Sequence, residues 1–323
     1  MRPVKALAVK LTTAIRLTRL TMAFGAVSDV WFVILLTRAS GEYAAVEVAR
    51  MPLGLALLAG AVVATGLFAY AASLNDVLDV RHDTAFSPDR PIPAGRIKLG
   101  QAIVVTVASL IITVVAAAPM GRLALWIMLL VAAAILFYNA AGKFIPSVGL
   151  VTIGLIHAAH MLIPNPRLSF TLPVWLVMTH AMAIGAAVHN FEDKRPRLGP
   201  RGLAALALGW LFWSTLIIGS GVLRGGIWPQ GMPLWTLIWP VTAVGGFLVV
   251  SIWKAGAVHG SAAAEKLKRY GAMWQALYGA AWLMALGLEV QAAWLAALAV
   301  AGFLVMTAIK EITGLSGRPV VYR

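Results

Sequence analysis

A chain of 323 residues that is 61% hydrophobic and 12% charged, with a mean hydropathy of +0.87, is not a soluble domain, because those carry about 25% charged residues. Its formal net charge of +14 invites a nucleic-acid reading, but the distribution of that charge excludes it. The absence of cysteine excludes disulfides and thiolate chemistry.

Apolar runs of about 17–25 residues are long enough to cross a bilayer. Ten segments qualify: 20–37, 53–74, 99–118, 122–141, 145–163, 172–189, 203–223, 233–253, 271–288 and 292–309. With alternate connections assigned to opposite sides, 21 of the 26 Lys and Arg residues fall on the side of the N-terminus. The positive-inside rule therefore predicts that the N-terminus and the polar stretches 75–98 and 190–202 are cytoplasmic, in the plasma membrane of a prokaryote. Positive charge here reports topology and anion binding rather than a nucleic-acid partner. The expected fold class is an all-α polytopic membrane protein with nine to ten transmembrane helices, forming a single domain over 1–323.

In chain order, a basic arm (Arg2, Lys5, Lys10, Arg16, Arg19) precedes the first span. No small-x-small cleavage site follows it, so the span is expected to be retained. Arg16 and Arg19, three residues apart, either snorkel to the membrane edge or reach a cytoplasmic pocket. Asp29 lies well inside the first span, where a carboxylate normally faces a cavity or a partner. It is a functional candidate without an assigned role.

The second span, rich in Ala and Gly, runs into NDVLDVRHDTAFSPDRPIPAGRIK (75–98), which holds four of the twelve acidic residues. At helical spacing Asn75, Asp79 and Asp83 share a face and Asp76 flanks it. Such a set is either a solvated helix end or a site for a hard divalent cation with oxygen ligands. Mg²⁺ suits it, since Mg²⁺ takes one or two carboxylates and leaves room for substrate phosphates. The Pro91-Ile92-Pro93-Ala94-Gly95 turn cannot continue a helix and is expected to hold Arg90 and Arg96 near the carboxylates, where guanidiniums would clamp a polyanion.

Tyr138 and Lys143 end the fourth span, either as interface anchors or as site residues. His157, His160, His180 and His189 occupy the fifth and sixth spans without a recurring ligand spacing. Buried hydrogen-bonding histidines are the expectation, a haem or metal site is the alternative, and His189 is the best functional candidate of the four. After the sixth span, His189-Asn190-Phe191-Glu192-Asp193-Lys194-Arg195-Pro196-Arg197 echoes the first polar stretch. The connection 254–270, with Lys254, Lys266, Lys268 and Arg269, reads as a basic surface against anionic lipid.

The stretch Asn75-Asp76-Val-Leu-Asp79-Val-Arg-His-Asp83, followed by Arg90-Pro91-Ile92-Pro93-Ala94-Gly95-Arg96-Ile97, resembles the first motif of the UbiA superfamily of intramembrane prenyltransferases. That motif reads N-D-x-x-D-x-x-x-D and then R-P-x-P-x-G-R-[IV]. The resemblance implies a helical bundle around a lipid-open cavity, capped by cytoplasmic loops. It also implies Mg²⁺-dependent transfer of an isoprenyl group from a prenyl diphosphate to a lipophilic or aromatic acceptor, such as a quinone or pigment precursor. Carried over by position, Asp76, Asp79, Tyr138 and Lys143 are catalytic, and Asn75, Asp76, Asp79 and Asp83 hold Mg²⁺ and, through it, the diphosphate, which Asn75 also binds. Arg19, Arg90 and Arg96 face the diphosphate, and Tyr138 and Lys143 stand near it, the tyrosine ring toward the developing cation. In the second stretch, Glu192 and Asp193 are the metal candidates and Asn190, Arg195 and Arg197 the diphosphate candidates. This stretch departs from the family's N/D-x-x-x-D pattern, so a second Mg²⁺ has fewer carboxylates and basic residues carry more of the charge. A non-aromatic acceptor such as a sugar or glycerol phosphate is the alternative, as is a lipid transporter on the same fold.

Overall fold

The computed structural model describes residues 17–19, 23–229 and 231–315. Arg16 and the rest of the basic arm before Leu17 lie outside them. The described residues are helical, with no strand among them. The longer elements are α1 (Phe24–Ala39), α2 (Leu53–Leu78), α3 (Val80–Phe86), α4 (Leu99–Ala117), α5 (Arg122–Ala140), α6 (Pro146–Met161), α7 (Leu172–Phe191), α8 (Pro200–Leu223), α9 (Ile238–Gly256), α10 (Gly260–Ala285) and α11 (Glu289–Leu315). Every apolar segment of the sequence coincides with one of the long helices. Seven of these are long and apolar enough to cross a membrane: α2, α4 with its 3-10 extension, α5, α7, α8, α9 with the preceding turn, and α11 up to Ile309. The integral-membrane reading thus stands on these seven. Helices α1 and α6 have 16 residues each, and α10 carries Glu265, Lys266, Lys268 and Arg269 near its start.

The interior position of α1 and α10 explains why their sequences differ from the rest. Helix α10 packs against α1, α7, α9 and α11, and α1 also packs against α2, α6 and α11. A helix enclosed by protein does not face hydrocarbon, so α10 can hold Gln275 and Tyr278 on its buried side. Small residues let the axes approach. A Cβ on Gly25 would collide with Gln275 and the Ala272 carbonyl of α10, and one on Gly60 would come within 2.6 Å of Ile34 Cδ1. The outer helices show the converse. Leu208, Leu211 and Phe212 of α8 are exposed, as expected of a face that meets lipid.

One end of the bundle is tied off by uncharged or capping contacts. Tyr43 Oη lies 2.6 Å from Ser169 Oγ, Asn165 donates to Thr37 at 3.0 Å, and Arg38 donates to the Val48, Ala49 and Met51 carbonyls. An open cavity of about 410 Å³ also lies at this end, lined by Met232, Trp235, Trp239 and Met284. Ionic side chains gather at the other end, where α2 and α7 terminate.

Candidate active site

Helix α2 ends at Leu78, Asp79 caps it, and α3 continues from Val80. The i to i+4 backbone bonds persist across the junction, with Asp79 N to Asn75 O at 2.9 Å and Asp83 N to Asp79 O at 2.8 Å. The helical phase therefore survives and keeps Asn75, Asp76, Asp79 and Asp83 within one sector of the helix, but their cationic partners divide them. They form two pairs. Asp76 and Asp83, seven residues and about two turns apart, share Arg90. Its Nη1 donates to Asp83 Oδ2 at 2.6 Å and reaches Asp76 Oδ1 at 3.5 Å. Asn75 and Asp79, one turn apart, share Lys143. Its Nζ lies 2.5 Å from Asp79 Oδ1 and 3.4 Å from Asn75 Oδ1.

Each cation arrives from a different segment. Arg19, at a left-handed backbone position (φ 49°), donates to Asp76 Oδ1 at 3.0 Å. Arg90 is delivered by the proline turn, whose Gly95 takes φ 67° and whose Arg96 N bonds the Pro91 carbonyl at 3.0 Å. Lys143 comes from the short 3-10 turn Gly142–Phe144 after α5. The Asp76 and Asp83 side chains are only 4% and 3% exposed, while Arg19 and Arg90 remain 30% and 31% exposed, so the carboxylate ends are removed from water and the guanidiniums are within reach of it. Tyr138, on the last turn of α5, lies within the field of the Asp79 carboxylate. Arg96, in contrast, is not brought to the carboxylates, and its side chain makes no hydrogen bond or ion pair among the described residues.

The second stretch is assembled differently. Glu192 caps α7, and Lys268 of α10 and Lys194 donate to its two oxygens at 2.7 and 2.9 Å. Burial pushes the Glu192 carboxyl up, but hydrogen bonds from Lys268 and Lys194 and their charges hold it below the ordinary carboxylate range. Asp193, at φ 43°, takes Arg197 Nε at 3.0 Å and Arg195 at 3.4 Å, with its side chain 61% exposed. The Arg197 hydrogen bond and the charges of both arginines hold it low as well. Asn190 is exposed, and His189 Nε2 lies 3.0 Å from the Pro196 carbonyl oxygen.

Lys268 connects the two stretches. It bonds Glu192 and lies in the field of Arg19, which bonds Asp76. The reading of 254–270 as a lipid-facing surface therefore fails at Lys268. The sequence did carry a signal for this. Lys268 falls on the stripe Ala264, Gly271, Gln275 and Tyr278, whose spacing of three, four and seven points it into the bundle.

Asn75, Asp76, Asp79 and Asp83 offer oxygen ligands, the hard set that suits Mg²⁺. Among the described residues no group of three or more His, Cys, Asp or Glu side chains is gathered to hold a metal. Mg²⁺ generally takes one or two carboxylates, water and substrate phosphates, so Asp76 and Asp79 with Asn75 fit a metal completed by a bound polyanion. The histidines give no such fit. His157 Nδ1 accepts from Gln275 at 3.1 Å, and His180 bridges Tyr278 and the Gly271 carbonyl. Asp29 is 2% exposed, and its Oδ2 is unpaired among the described residues, as is His160 Nε2.

A sequence model of the UbiA prenyltransferase family matches residues 30–277. No curated protein matches the chain. Similar solved structures include a digeranylgeranylglyceryl phosphate synthase, 19% identical, covering 85% of this chain and 98% of its own, with a TM-score of 0.49. A UbiA homologue from Aeropyrum pernix K1 is 16% identical over 88% of this chain and 97% of its own, at 0.45. A UbiA homologue from Archaeoglobus fulgidus bound to GPP and Mg²⁺ is 13% identical over 90% of this chain and 99% of its own, at 0.43.

Proposed function

Because the chain belongs to the UbiA prenyltransferase family, we propose that it transfers an isoprenyl group from a prenyl diphosphate to a lipophilic acceptor within the membrane, an aromatic quinone or pigment precursor being the favoured class. The observation that carries this reading is the convergence of Arg19, Arg90 and Lys143 on Asp76, Asp79 and Asp83. A site that pairs two buried carboxylates and one partly buried one with cations from three segments can exchange those internal pairs for a metal–diphosphate pair while keeping its net charge balanced.

The task is to ionise an allylic C–O bond. The leaving diphosphate gains negative charge, and fixed positive groups in a dry site stabilise that change more than water does. Asn75, Asp76 and Asp79 would hold Mg²⁺, which when bound supplies Lewis-acid stabilisation of the leaving group. Lys143 and Arg19, freed from their carboxylates in part, hold phosphate oxygens. Asp83 holds Arg90 at 2.6 Å and so keeps that guanidinium pointed at the site. The Tyr138 ring offers its π face to the allylic cation as charge separates. The acceptor's nucleophilic carbon then forms the new C–C bond and releases a proton. The charge asymmetry of the chain supports a cytoplasmic orientation for this end.

Radiolabelled geranylgeranyl and farnesyl diphosphate, supplied with membrane extract as acceptor source, test the reading. Mg²⁺-dependent formation of a prenylated lipid is expected. Diphosphate that is never consumed, with EDTA making no difference, would exclude it.

A further inference from the structure

In the second stretch all four carboxylate oxygens already have cationic partners. Lys268 and Lys194 take those of Glu192, while Arg197 and Arg195 take those of Asp193. Four cations thus surround two acids, and the set is net positive. A divalent metal would have to displace ammonium and guanidinium groups from both residues and then sit among them. In the first stretch, Asp79 has only Oδ1 engaged among the described residues, so it retains a ligating oxygen.

We propose that the second stretch is a metal-free clamp for the substrate diphosphate, with Lys268 of α10 as the cation that binds it directly and Glu192 as the positioning carboxylate. The inference rests on the prenyl diphosphate reading and adds a binding residue and a metal count to it. Three features of Lys268 suit the task. Its side chain is 18% exposed, so it is desolvated enough to bind an anion strongly and open enough to be reached. It lies close enough to Arg19 for the two positive charges to act on one another, and Arg19 is itself bonded to Asp76. Glu192 keeps Lys194 at its other oxygen, so Lys268 can move its contact to a phosphate oxygen without leaving a buried carboxylate unpaired. The diphosphate would then be held by one Mg²⁺ from the α2 side and by ammonium and guanidinium groups from the α7 and α10 side. Arg195 and Arg197 stay on Asp193 at the rim.

The full chain in detergent micelles, titrated with inorganic pyrophosphate in EDTA, gives the direct test. Binding is expected without metal, weakened about tenfold or more by Lys268→Met and largely kept by Lys268→Arg. Lys266→Met, two residues away and turned toward the opposite side of the same helix, is the matched control, and thermal melting checks that each variant is folded. With Mn²⁺ and a non-ionising prenyl thiodiphosphate, one bound metal per chain is expected; in separate turnover of the reactive prenyl diphosphate, Lys268→Met is expected to raise KM more than it lowers kcat. Two bound metals, pyrophosphate binding only with metal, or Lys268→Met binding like the parent would each overturn the clamp. Pyrophosphate binding needs no turnover. A chain that binds it through Lys268 yet never consumes prenyl diphosphate would therefore sink the transferase reading alone.

Discussion

The first polar stretch and its echo after α7 start from the same beginning, an asparagine at a helix end followed by acids, and finish as opposite electrostatic objects. Around α2 and α3, Asp76 and Asp83 are buried and Asp79 is partly so, and two of their three cations, Arg19 and Lys143, come from distant segments; Asp76 is 4% exposed against Arg19 and Arg90. Around 190–197 the cations are local, Asp193 is 61% exposed, and the one inward acid, Glu192, is held by a lysine from another helix. Exposure separates the two cases better than distance in sequence, since Arg90 is seven residues from Asp83 and Lys268 is 76 from Glu192. An exposed pair such as Asp193 with Arg195 and Arg197 is solvated at the surface, whereas a buried carboxylate such as Asp76 depends on its cations until a ligand arrives.

Four predictions press on that contrast. Asp79→Asn should lower turnover by at least about 10²–10³-fold, the usual scale for removing a preorganised charge-stabilising group, whereas Asp193→Asn should cost far less; comparable losses in steady-state assays would erase the difference between the stretches. Lys143→Met should lower kcat by about 10²-fold, with Lys143→Arg intermediate, because Nζ bridges Asn75 and Asp79. Arg90→Gln should cost about tenfold, since Arg90 acts through the Asp76 and Asp83 pairing, and a kcat equal to the parent would show that the pairing is ornamental.

The smallest effect is in stability. The folded-state pKa of Glu192 is depressed, so its bridge stabilises the protein above the ordinary glutamate value of about 4.3. That contribution is lost as pH falls through the lower folded value. The melting-temperature gap between parent and Glu192→Gln should be constant from pH 6 to 8 and close below about pH 4. A gap that widens on acidification would mean that Glu192 is not held by Lys268 and Lys194.

Much of this was legible in the residues. The long apolar runs located each long helix, and the pattern around Asp76 and Arg90 identified the family and the cluster proposed as the site. Two things were not legible. Whether Asn75, Asp79 and Asp83 act together depends on which cations come from elsewhere, and a helical wheel carries no such term; Lys143 is 64 residues from Asp79. Lys268 was hidden by composition, because a short basic run resembles a membrane-surface segment until the buried stripe of α10 is followed through it. Arg96 shows the reverse failure, since its motif position suggested a partner that the turn does not give it.

The most direct measurement sets Asp79→Asn beside the parent in Mg²⁺-dependent consumption of geranylgeranyl diphosphate, with equal folding verified by melting. The parent should consume it and the variant should not, at saturating Mg²⁺. Equal consumption by both proteins would contradict the assignment of the reaction to the first polar stretch.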